Sequence, residues 1–403
     1  FHFSRSAMHR LFLCTVFLSV SLPLFADAVK PKPLENPPER TQIVSAIGRG
    51  VNFLLEQQNP NGSWGSARRT KQLNIYAPGS SHDAYRAGTT ALDLTALLEV
   101  EAALKRKNSP FTLTELGVDE GKFNAAITLA EQWMFDNLPK LRRSADDCLY
   151  NIWGHSYGIQ TLVRMLHRFP DDSERGAKIK ELIAQQVDML RRFETLSGGW
   201  FYYDDNKTAK PSETTASFCS ATGLIALKEA QNNGIEVPQK LVDKTMASLK
   251  RQRLPDFSYL YGEYLWQQPR RGINRPAGSL GRSQACNLAM KQWGDNDITN
   301  ETLIVWLDRL YARNGWLDVG RKRPIPHESF FQIAGYFFYY AHYYAALCIE
   351  EIPERDRRIY KEFLADVLVG LQENDGSWWD YPLYDYHQPY GTGFAVQSLL
   401  RTL

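Results

Sequence analysis

The chain has 403 residues, of which 43% are hydrophobic and 23% are charged, a balance typical of a folded globular protein rather than a disordered one. Its 47 basic and 45 acidic residues leave a formal net charge of +2. A chain so close to neutrality lacks the basic surplus that nucleic-acid-binding proteins use, so we predict no nucleic-acid partner.

The N-terminal segment has the three-part pattern of a secretory signal peptide. Met8-His9-Arg10 is a short basic start, residues 11–25 are almost uninterruptedly apolar, and Ala26-Asp27-Ala28 places small residues where a signal peptidase cleaves. We therefore predict a signal peptide with upstream residues over residues 1–28, and a mature chain that begins near Val29. Such a protein would be secreted or periplasmic, with no membrane span left after cleavage.

Six repeated units follow a Pro-rich linker over residues 29–40. In each unit, an amphipathic helix with apolar residues at three-and-four spacing precedes a turn, and a second helix dense in small residues comes after it. The units cover residues 41–105, 123–169, 177–232, 238–293, 299–350 and 356–403. An open stack of helical units needs polar outer faces on its end members. Here the terminal units are as apolar as the middle ones, which predicts a closed ring.

The turns between paired helices carry a short motif. Residues 58–64 (QNPNGSW) and 372–378 (QENDGSW) both fit Gln-x-x-x-Gly-x-Trp, residues 194–200 (ETLSGGW) are a variant, and Gly315-Trp316 is a remnant. This is the repeat motif of squalene and hopene cyclases. The chain resembles the squalene-cyclase and protein prenyltransferase repeat family over nearly all of its mature length.

The resemblance implies an all-α fold, the (α/α)6 toroid, in which each pair places its first helix in an outer ring and its second in an inner ring. We expect this toroid to form one domain over residues 41–403. In each motif the glycine is expected to end the outer helix in a left-handed turn. The Trp ring is expected to pack in the core, while its N–H bonds a neighbouring helix end.

The repeat also predicts where a functional site lies. If every unit runs in the same sense, all outer-to-inner connections meet at one end of the ring. Four of the six histidines of the mature chain lie in these connections, and histidine suits proton transfer near neutral pH. The candidate catalytic residues are His82, Asp83, Asp146, His155, Glu213, His327, Glu328 and His387. The candidate ligand-binding residues are Arg86, Tyr150, Trp153, Arg275, Arg282, Tyr336, Tyr386 and Tyr390. The four histidines should line one arc, with His82, His327 and His387 directed into one shared cavity.

Other interpretations of these residues stay open. Asp146 and Glu213 could cap helices, and a histidine could be a hydrogen-bonded core side chain. Asp146 with Cys148 resembles the Asp-x-Cys zinc segment of protein prenyltransferases, and His387 beside Tyr386 resembles their later histidine ligand, which would make Asp146, Cys148 and His387 a zinc set. Otherwise we predict no cofactor. The remaining cysteines show no paired motif and are predicted to be buried thiols, namely Cys148, Cys219, Cys286 and Cys348.

Three functions are compatible with these patterns. The first is an exported protein like the terpenoid cyclases and prenyltransferases, which binds a ligand at the mouth of the ring; the Asp-x-Asp-Asp acid motif of class II cyclases is absent from the sequence. The second is a secreted lyase or hydrolase that acts on a polysaccharide. The third is a non-catalytic binding or assembly module. In each case a small-molecule or polymer ligand would occupy the central cavity.

Overall fold

A computed structural model describes residues 29–141, 151–169, 173–202, 214–327 and 332–403. Within these residues the chain forms α-helices, short 3₁₀ turns and no β-strand, so the predicted all-α class is confirmed. The twelve long helices are α1 (Arg40–Gln57), α2 (Gly79–Leu104), α3 (Glu120–Asn137), α4 (Asn151–Leu166), α5 (Glu174–Arg192), α6 (Ser217–Asn232), α7 (Gln239–Gln252), α8 (Pro276–Gln292), α9 (Asn300–Ala312), α10 (Phe338–Glu351), α11 (Glu354–Gly370) and α12 (His387–Leu400).

The odd-numbered helices form an outer ring and the even-numbered helices an inner ring. Helix α5 shows the outer pattern, because it buries Ile179, Ile183, Val187 and Leu190 along one stripe and exposes charged residues elsewhere. Helix α10 shows the inner pattern, because every residue from Phe338 to Ile349 is buried. This order of outer helix first and inner helix second is the predicted one.

The inner ring is closed. Each inner helix contacts the next one along the chain, and the last, α12, contacts the first, α2. Small residues permit this approach: a Cβ on Gly393 of α12 would lie 2.5 Å from a carboxylate oxygen of Asp93 on α2. The Gln397 side chain also donates to the carbonyl oxygen of Leu92 at 3.1 Å. The six helical hairpins therefore form the predicted (α/α)6 toroid.

The motif tryptophans tie each turn to the outer helix that precedes it. The indole N–H of Trp64 donates to the carbonyl oxygen of Leu54 at 2.8 Å, and that of Trp378 donates to Leu368 at the same distance. Trp200 of the variant motif repeats this bond with Leu190. All three rings are buried, as expected. Each acceptor lies in the last turn of the motif's own outer helix, because the turn folds the indole back over that helix. The expected bond to a helix end is therefore present, and the helix is the one that precedes the turn.

The motif glycine and glutamine contact the next outer helix instead. Gly62 and Gly376 both have φ of 88°, and a Cβ on Gly376 would lie 2.6 Å from the carbonyl oxygen of Arg49 on α1. The Gln58 side chain donates to the carbonyl oxygen of Ala126 on α3 at 2.9 Å. Helix α1 ends at Gln57, before this glycine, so the expectation that the glycine ends the outer helix was wrong. Its left-handed conformation serves the close approach between neighbouring units.

Two further sequence predictions bear on the core and the N-terminus. Cys219, Cys286 and Cys348 are buried free thiols, as predicted, while Cys148 lies outside the described residues. In the described part of the chain, no helix is both long and apolar enough to cross a bilayer. The predicted signal peptide over residues 1–28 also lies outside the described residues and stays a prediction.

Candidate functional site

One cavity of about 270 Å³ lies at the end of the ring where the inner helices begin. Its wall is formed by the N-terminal parts of inner helices and by the connections that lead into them, at the end of the ring that the repeat predicted. Twelve of its twenty lining residues are Tyr, Phe or Trp. The lining residues are Ile75, Ala84, Tyr85, Gly88, Thr89, Leu92, Trp153, Tyr157, Tyr202, Phe218, Tyr261, Pro326, His327, Tyr336, Phe337, Tyr340, Tyr381, Leu383, Tyr390 and Phe394.

Three tyrosines and a histidine in this wall form a hydrogen-bonded chain. The hydroxyl oxygens of Tyr202 and Tyr261 are 2.8 Å apart, and those of Tyr261 and Tyr336 are 3.1 Å apart. The Tyr336 hydroxyl lies 3.0 Å from Nε2 of His327, whose Nδ1 lies 3.0 Å from the carbonyl oxygen of Gln332. A carbonyl only accepts, so Nδ1 carries the proton and the Nε2 of a neutral His327 accepts from Tyr336. The chain therefore donates in one direction, from Tyr202 to His327.

The surroundings of His327 keep it neutral. Burial lowers its pKa most; the bond to Gln332 raises it, and the charges of Arg282 and Arg271 lower it further. His327 also has φ of 60°, a left-handed conformation that is uncommon for a residue with a side chain. Since such backbone strain persists only where the surrounding structure imposes it, the imidazole is held in a defined orientation at the cavity wall.

A second polar pair lies behind another part of the wall. The Tyr390 hydroxyl, at the start of α12, donates to the carboxylate of Asp380, and the backbone N–H of Tyr339 donates to the other carboxylate oxygen at 3.0 Å. Asp380 is fully buried, and burial raises its pKa to about 7. The carboxyl group can therefore carry or release a proton near neutral pH, one hydroxyl away from the cavity.

Four of the candidate residues line this cavity, namely Trp153, His327, Tyr336 and Tyr390. Trp153 contributes a large ring that stacks with Phe218 at a centroid distance of 6.0 Å. The predicted mouth therefore holds one of the candidate histidines and three of the candidate aromatic residues. The remaining candidates that the structure describes lie elsewhere.

His155 faces away from the cavity, towards the outer ring. Its Nδ1 lies 2.7 Å from Oε1 of Gln186 on α5, and its ring stacks on Phe193 at 6.0 Å. Burial lowers its pKa to about 4. Trp153 and Tyr157 line the cavity, and His155 lies two positions from each, about 200° around the helix. The prediction that His155 joins a shared arc was therefore wrong.

His387 and His82 also lie outside the cavity lining. Nδ1 of His387 bonds the carbonyl oxygen of Tyr384 at 2.7 Å, and its ring meets Trp379 edge-on. His82 packs edge-on against Tyr384 at 4.6 Å. Of the four histidines only His327 lines the cavity, so the predicted arc does not form. His82 and His387 both contact Tyr384, just before the start of α12, instead. Aromatic residues occupy the positions that face the axis of the ring.

The candidates next to His82 lie at the rim. Asp83 is exposed, and Arg86 is half-buried without lining the cavity. The Tyr386 hydroxyl donates to the carbonyl oxygen of His82 at 3.2 Å. The Tyr386 ring packs so closely on Gly65 that a Cβ added to Gly65 would lie 2.2 Å from a ring carbon. Tyr386 therefore packs the motif turn against the start of α2 rather than facing the cavity.

The other two candidate arginines, Arg275 and Arg282, contact backbone rather than the cavity. Arg282 is fully buried, and it donates to the carbonyl oxygens of Tyr259, Gly278 and Ile273 at 2.9, 2.7 and 2.7 Å. It therefore holds the connection between α7 and α8 in place, which corrects its expected role as a ligand-binding residue. Arg275 is exposed, and its Nε donates to the carbonyl oxygen of Arg270 at 3.3 Å.

Four other candidates lie outside the described residues, namely Asp146, Tyr150, Glu213 and Glu328. Cys148 does too, so the zinc set with Asp146 and His387 stays a prediction. Among the described side chains, no group of three or more His, Cys, Asp or Glu residues is arranged to hold a metal ion.

Sequence reasoning missed much of the wall. It named neither Tyr202 and Tyr261 of the hydrogen-bonded chain nor Asp380 behind Tyr390. A usable signal was the density of aromatic residues in the connections, such as residues 257–266 (FSYLYGEYLW). Asp380 follows the motif Trp378 by two positions, so the motif turn itself leads into the cavity wall.

No protein-family model matches the chain, and no curated protein is similar to it in sequence. Solved structures of similar fold include an unsaturated glucuronyl hydrolase from a Bacillus species, responsible for glycosaminoglycan degradation, with 13% identity, a TM-score of 0.55 and coverage of 90% of this chain and 96% of that enzyme. The corresponding enzyme from Streptococcus agalactiae has 13% identity, a TM-score of 0.53 and coverage of 93% and 96%. An α-1,6-mannanase from a Salegentibacter species has 9% identity, a TM-score of 0.51 and coverage of 90% and 98%. At these identities the likeness is one of fold.

Proposed function

We propose that the protein is a glycan-acting enzyme that holds a sugar unit in the aromatic cavity and transfers a proton through Tyr336 and His327. The predicted export supports this, because extracellular polymers are then the accessible substrates. The enzymes of similar fold named above also act on glycans, by their names. The aromatic wall suits the apolar faces of sugar rings. A volume of about 270 Å³ lies just below the usual range of about 300–1,000 Å³ for small-molecule sites, which suits one or two sugar units.

The hydrogen-bonded chain from Tyr202 to His327 is the observation that carries the proposal. Nε2 of neutral His327 is a proton acceptor that reaches the cavity through the Tyr336 hydroxyl. When Tyr336 accepts a proton from a substrate carbon, its own proton moves to Nε2. Tyr261, the next hydroxyl in the chain, can protonate the leaving oxygen and be reprotonated through Tyr336.

This relay favours β-elimination over hydrolysis. The carbon that bears the carboxylate of a uronic acid loses its proton, that electron pair forms a carbon–carbon double bond, and the glycosidic carbon–oxygen bond at the next carbon breaks. The proton removed from carbon is in effect passed to the leaving oxygen. Hydrolysis of a glycoside uses two carboxyl groups instead, and none of the described residues that line the cavity carries one.

A second candidate is an apolar isoprenoid ligand, as in the terpenoid cyclases that the motif resembles. The wall is almost wholly aromatic and aliphatic, and aromatic faces stabilise a cation through their quadrupoles. The missing Asp-x-Asp-Asp string leaves no recognised acid to start such a cyclisation.

The test is to incubate the purified mature protein with a panel of uronate-containing polysaccharides and to follow the ultraviolet absorbance of the unsaturated product. We expect turnover in the wild type and a loss of at least about a hundredfold in His327→Ala and Tyr336→Phe. The matched control is His167→Ala, because His167 is exposed and bonds only Asn233 among the described residues.

Three other outcomes would overturn the proposal. Equal turnover in wild type and His327→Ala would show that catalysis does not use the proposed proton relay. Glycan binding measured by calorimetry, with no product from any member of the panel, would favour the non-catalytic binding module. Saturable binding of farnesol with no glycan binding would favour the isoprenoid candidate.

A further inference from the structure

A path of aromatic side chains leads from the cavity wall to the protein surface. Tyr261 and Tyr202 lie in the wall, with their hydroxyl oxygens 2.8 Å apart. Phe201 stacks on Tyr202 with ring centroids 4.5 Å apart, and Tyr264 meets Phe201 edge-on at 6.4 Å. Tyr264 is 51% exposed, so the path reaches solvent at this ring.

Trp266 extends this surface two residues later and is 64% exposed. A single exposed aromatic residue is unremarkable in a folded protein. These two exposed rings lie two residues apart in the chain, at the outer end of a path from the cavity. The backbone segment that carries Tyr264 and Trp266 is held by several contacts. The backbone N–H of Glu263 donates to Thr215 at 2.9 Å, Arg251 bonds the Glu263 carboxylate, and Leu265 between them is buried. The two rings are therefore presented to solvent on an ordered turn.

Two exposed arginines follow on the same connection. Arg270 and Arg271 form no ion pair with any acidic side chain in the described part of the chain, whereas the exposed Arg358, for example, pairs with Glu362. Arg271 lies close enough to the cavity that its charge, after burial and the charge of Arg282, helps to lower the pKa of His327. The surface beside the aromatic rings is thus positively charged and open to an anion.

We propose that Tyr264, Trp266, Arg270 and Arg271 form an outer subsite for a uronate unit of the glycan whose neighbouring unit occupies the cavity. This inference rests on the proposed function, since it assigns the substrate class of the same site. The sugar ring would stack on the indole and phenol faces, and its carboxylate would accept hydrogen bonds from the guanidinium groups. The aromatic path makes the subsite continuous with the cavity, so a chain can leave the mouth in this direction.

The experiment measures binding by calorimetry to the His327→Ala variant, which cannot turn over the ligand by the proposed relay. An array of uronate-containing polysaccharides identifies the tightest ligand, and its monomer, dimer and tetramer are then compared with neutral oligomers of the same linkage. We expect the tetramer to bind about tenfold or more tighter than the monomer. Adding Trp266→Ala, or Arg270→Ala with Arg271→Ala, should abolish that gain without changing monomer binding.

The control variants are Trp316→Ala, which removes another partly exposed indole, and Arg358→Ala, which removes an arginine on α11. Neither should alter the gain. The inference is overturned if no uronate glycan binds, if the tetramer binds no tighter than the monomer, or if the neutral oligomer binds equally well. If the Trp266-dependent gain is present but the wild type forms no product from the same glycan, the subsite stands and the proposed catalytic function fails.

Discussion

The side-chain amide of Gln372 donates a hydrogen bond of 2.9 Å to the backbone carbonyl oxygen of Ala46, 326 positions earlier in the chain. The same amide donates to the carbonyl oxygen of Gly376 at 2.9 Å, so it connects the motif turn of the sixth unit to the first outer helix. Gln58 makes the equivalent pair of bonds between the first turn and α3. The bond that joins neighbouring units therefore also joins the two ends of the repeat array.

We predict that Gln372→Leu lowers the free energy of unfolding by about 1–3 kcal/mol, because it leaves two carbonyl oxygens without their donor in a poorly hydrated contact. Urea denaturation followed by circular dichroism measures the change. Gln185→Leu, on the exposed face of α5, is the matched control and should change the free energy by less than about 0.5 kcal/mol. Equal effects of the two substitutions would contradict this role for Gln372.

Gly376→Ala should destabilise the protein by at least about 2 kcal/mol. Its φ of 88° is strained for alanine, and the new Cβ would lie 2.6 Å from the carbonyl oxygen of Arg49. Gly370→Ala offers a close comparison, because nothing lies within 4 Å of its added Cβ and it ends α11 without a positive φ. This control should be neutral or slightly stabilising in the same denaturation experiment. A neutral Gly376→Ala would argue against the close approach of the two units.

Asp380 should make stability depend on pH near neutrality. Burial raises its pKa from 3.8 to about 7, so it favours the folded state when protonated. That contribution is fully present below pH 4 and is lost as the pH rises towards 7. The free energy of unfolding of Asp380→Asn, relative to the wild type, should therefore rise by about 1 kcal/mol per pH unit between pH 4 and 7, apart from a constant offset. Denaturation at several pH values tests this, and a difference that does not change with pH would contradict it.

His155 should act in the opposite sense. Burial lowers its pKa from 6.5 to about 4, so neutral His155 contributes stability above pH 6.5 that is lost as the pH falls towards 4. His155→Gln should reduce the acid-induced loss of unfolding free energy by about 1 kcal/mol per pH unit in this window. The exposed His167→Gln is the control and should leave the acid slope of the wild type unchanged. An unaltered slope in His155→Gln would show that His155 is not the buried neutral group described.

The repeat architecture could be predicted because its signals recur. Apolar spacing separates outer from inner helices, and three copies of the Gly-and-Trp turn mark where pairs meet, so an error in one unit is corrected by the others. The site has no such redundancy. Whether His155 or Trp153 faces the cavity depends on the rotation of one helix by two residues, about 200°. The hydrogen-bond partner of His387 is a backbone carbonyl, which no pattern of side chains in the sequence predicts.

The aromatic wall was also hard to predict because inner helices are apolar on every side. In the run from Tyr336 to Tyr340, Tyr336, Phe337 and Tyr340 face the cavity while Phe338 and Tyr339 pack elsewhere in the core. Both groups consist of Tyr and Phe, so residue type does not tell which side chains face the cavity. That depends on where the axis of the ring lies relative to the helix. Tyr202 and Tyr261 lie in connections without periodicity, so their hydrogen-bonded chain depends on tertiary placement alone.

Closure of the ring changes how the protein begins to unfold. In an open solenoid an end unit can detach by breaking one interface, so local unfolding begins at the ends and spreads inward. Every hairpin here has two neighbours, because α12 packs on α2, and the first to detach must break two interfaces. Once it has left, the other five are an ordinary open array with two exposed ends. The first opening is thus the costly event, and we expect slow hydrogen exchange in all inner helices at one common rate rather than a gradient along the chain.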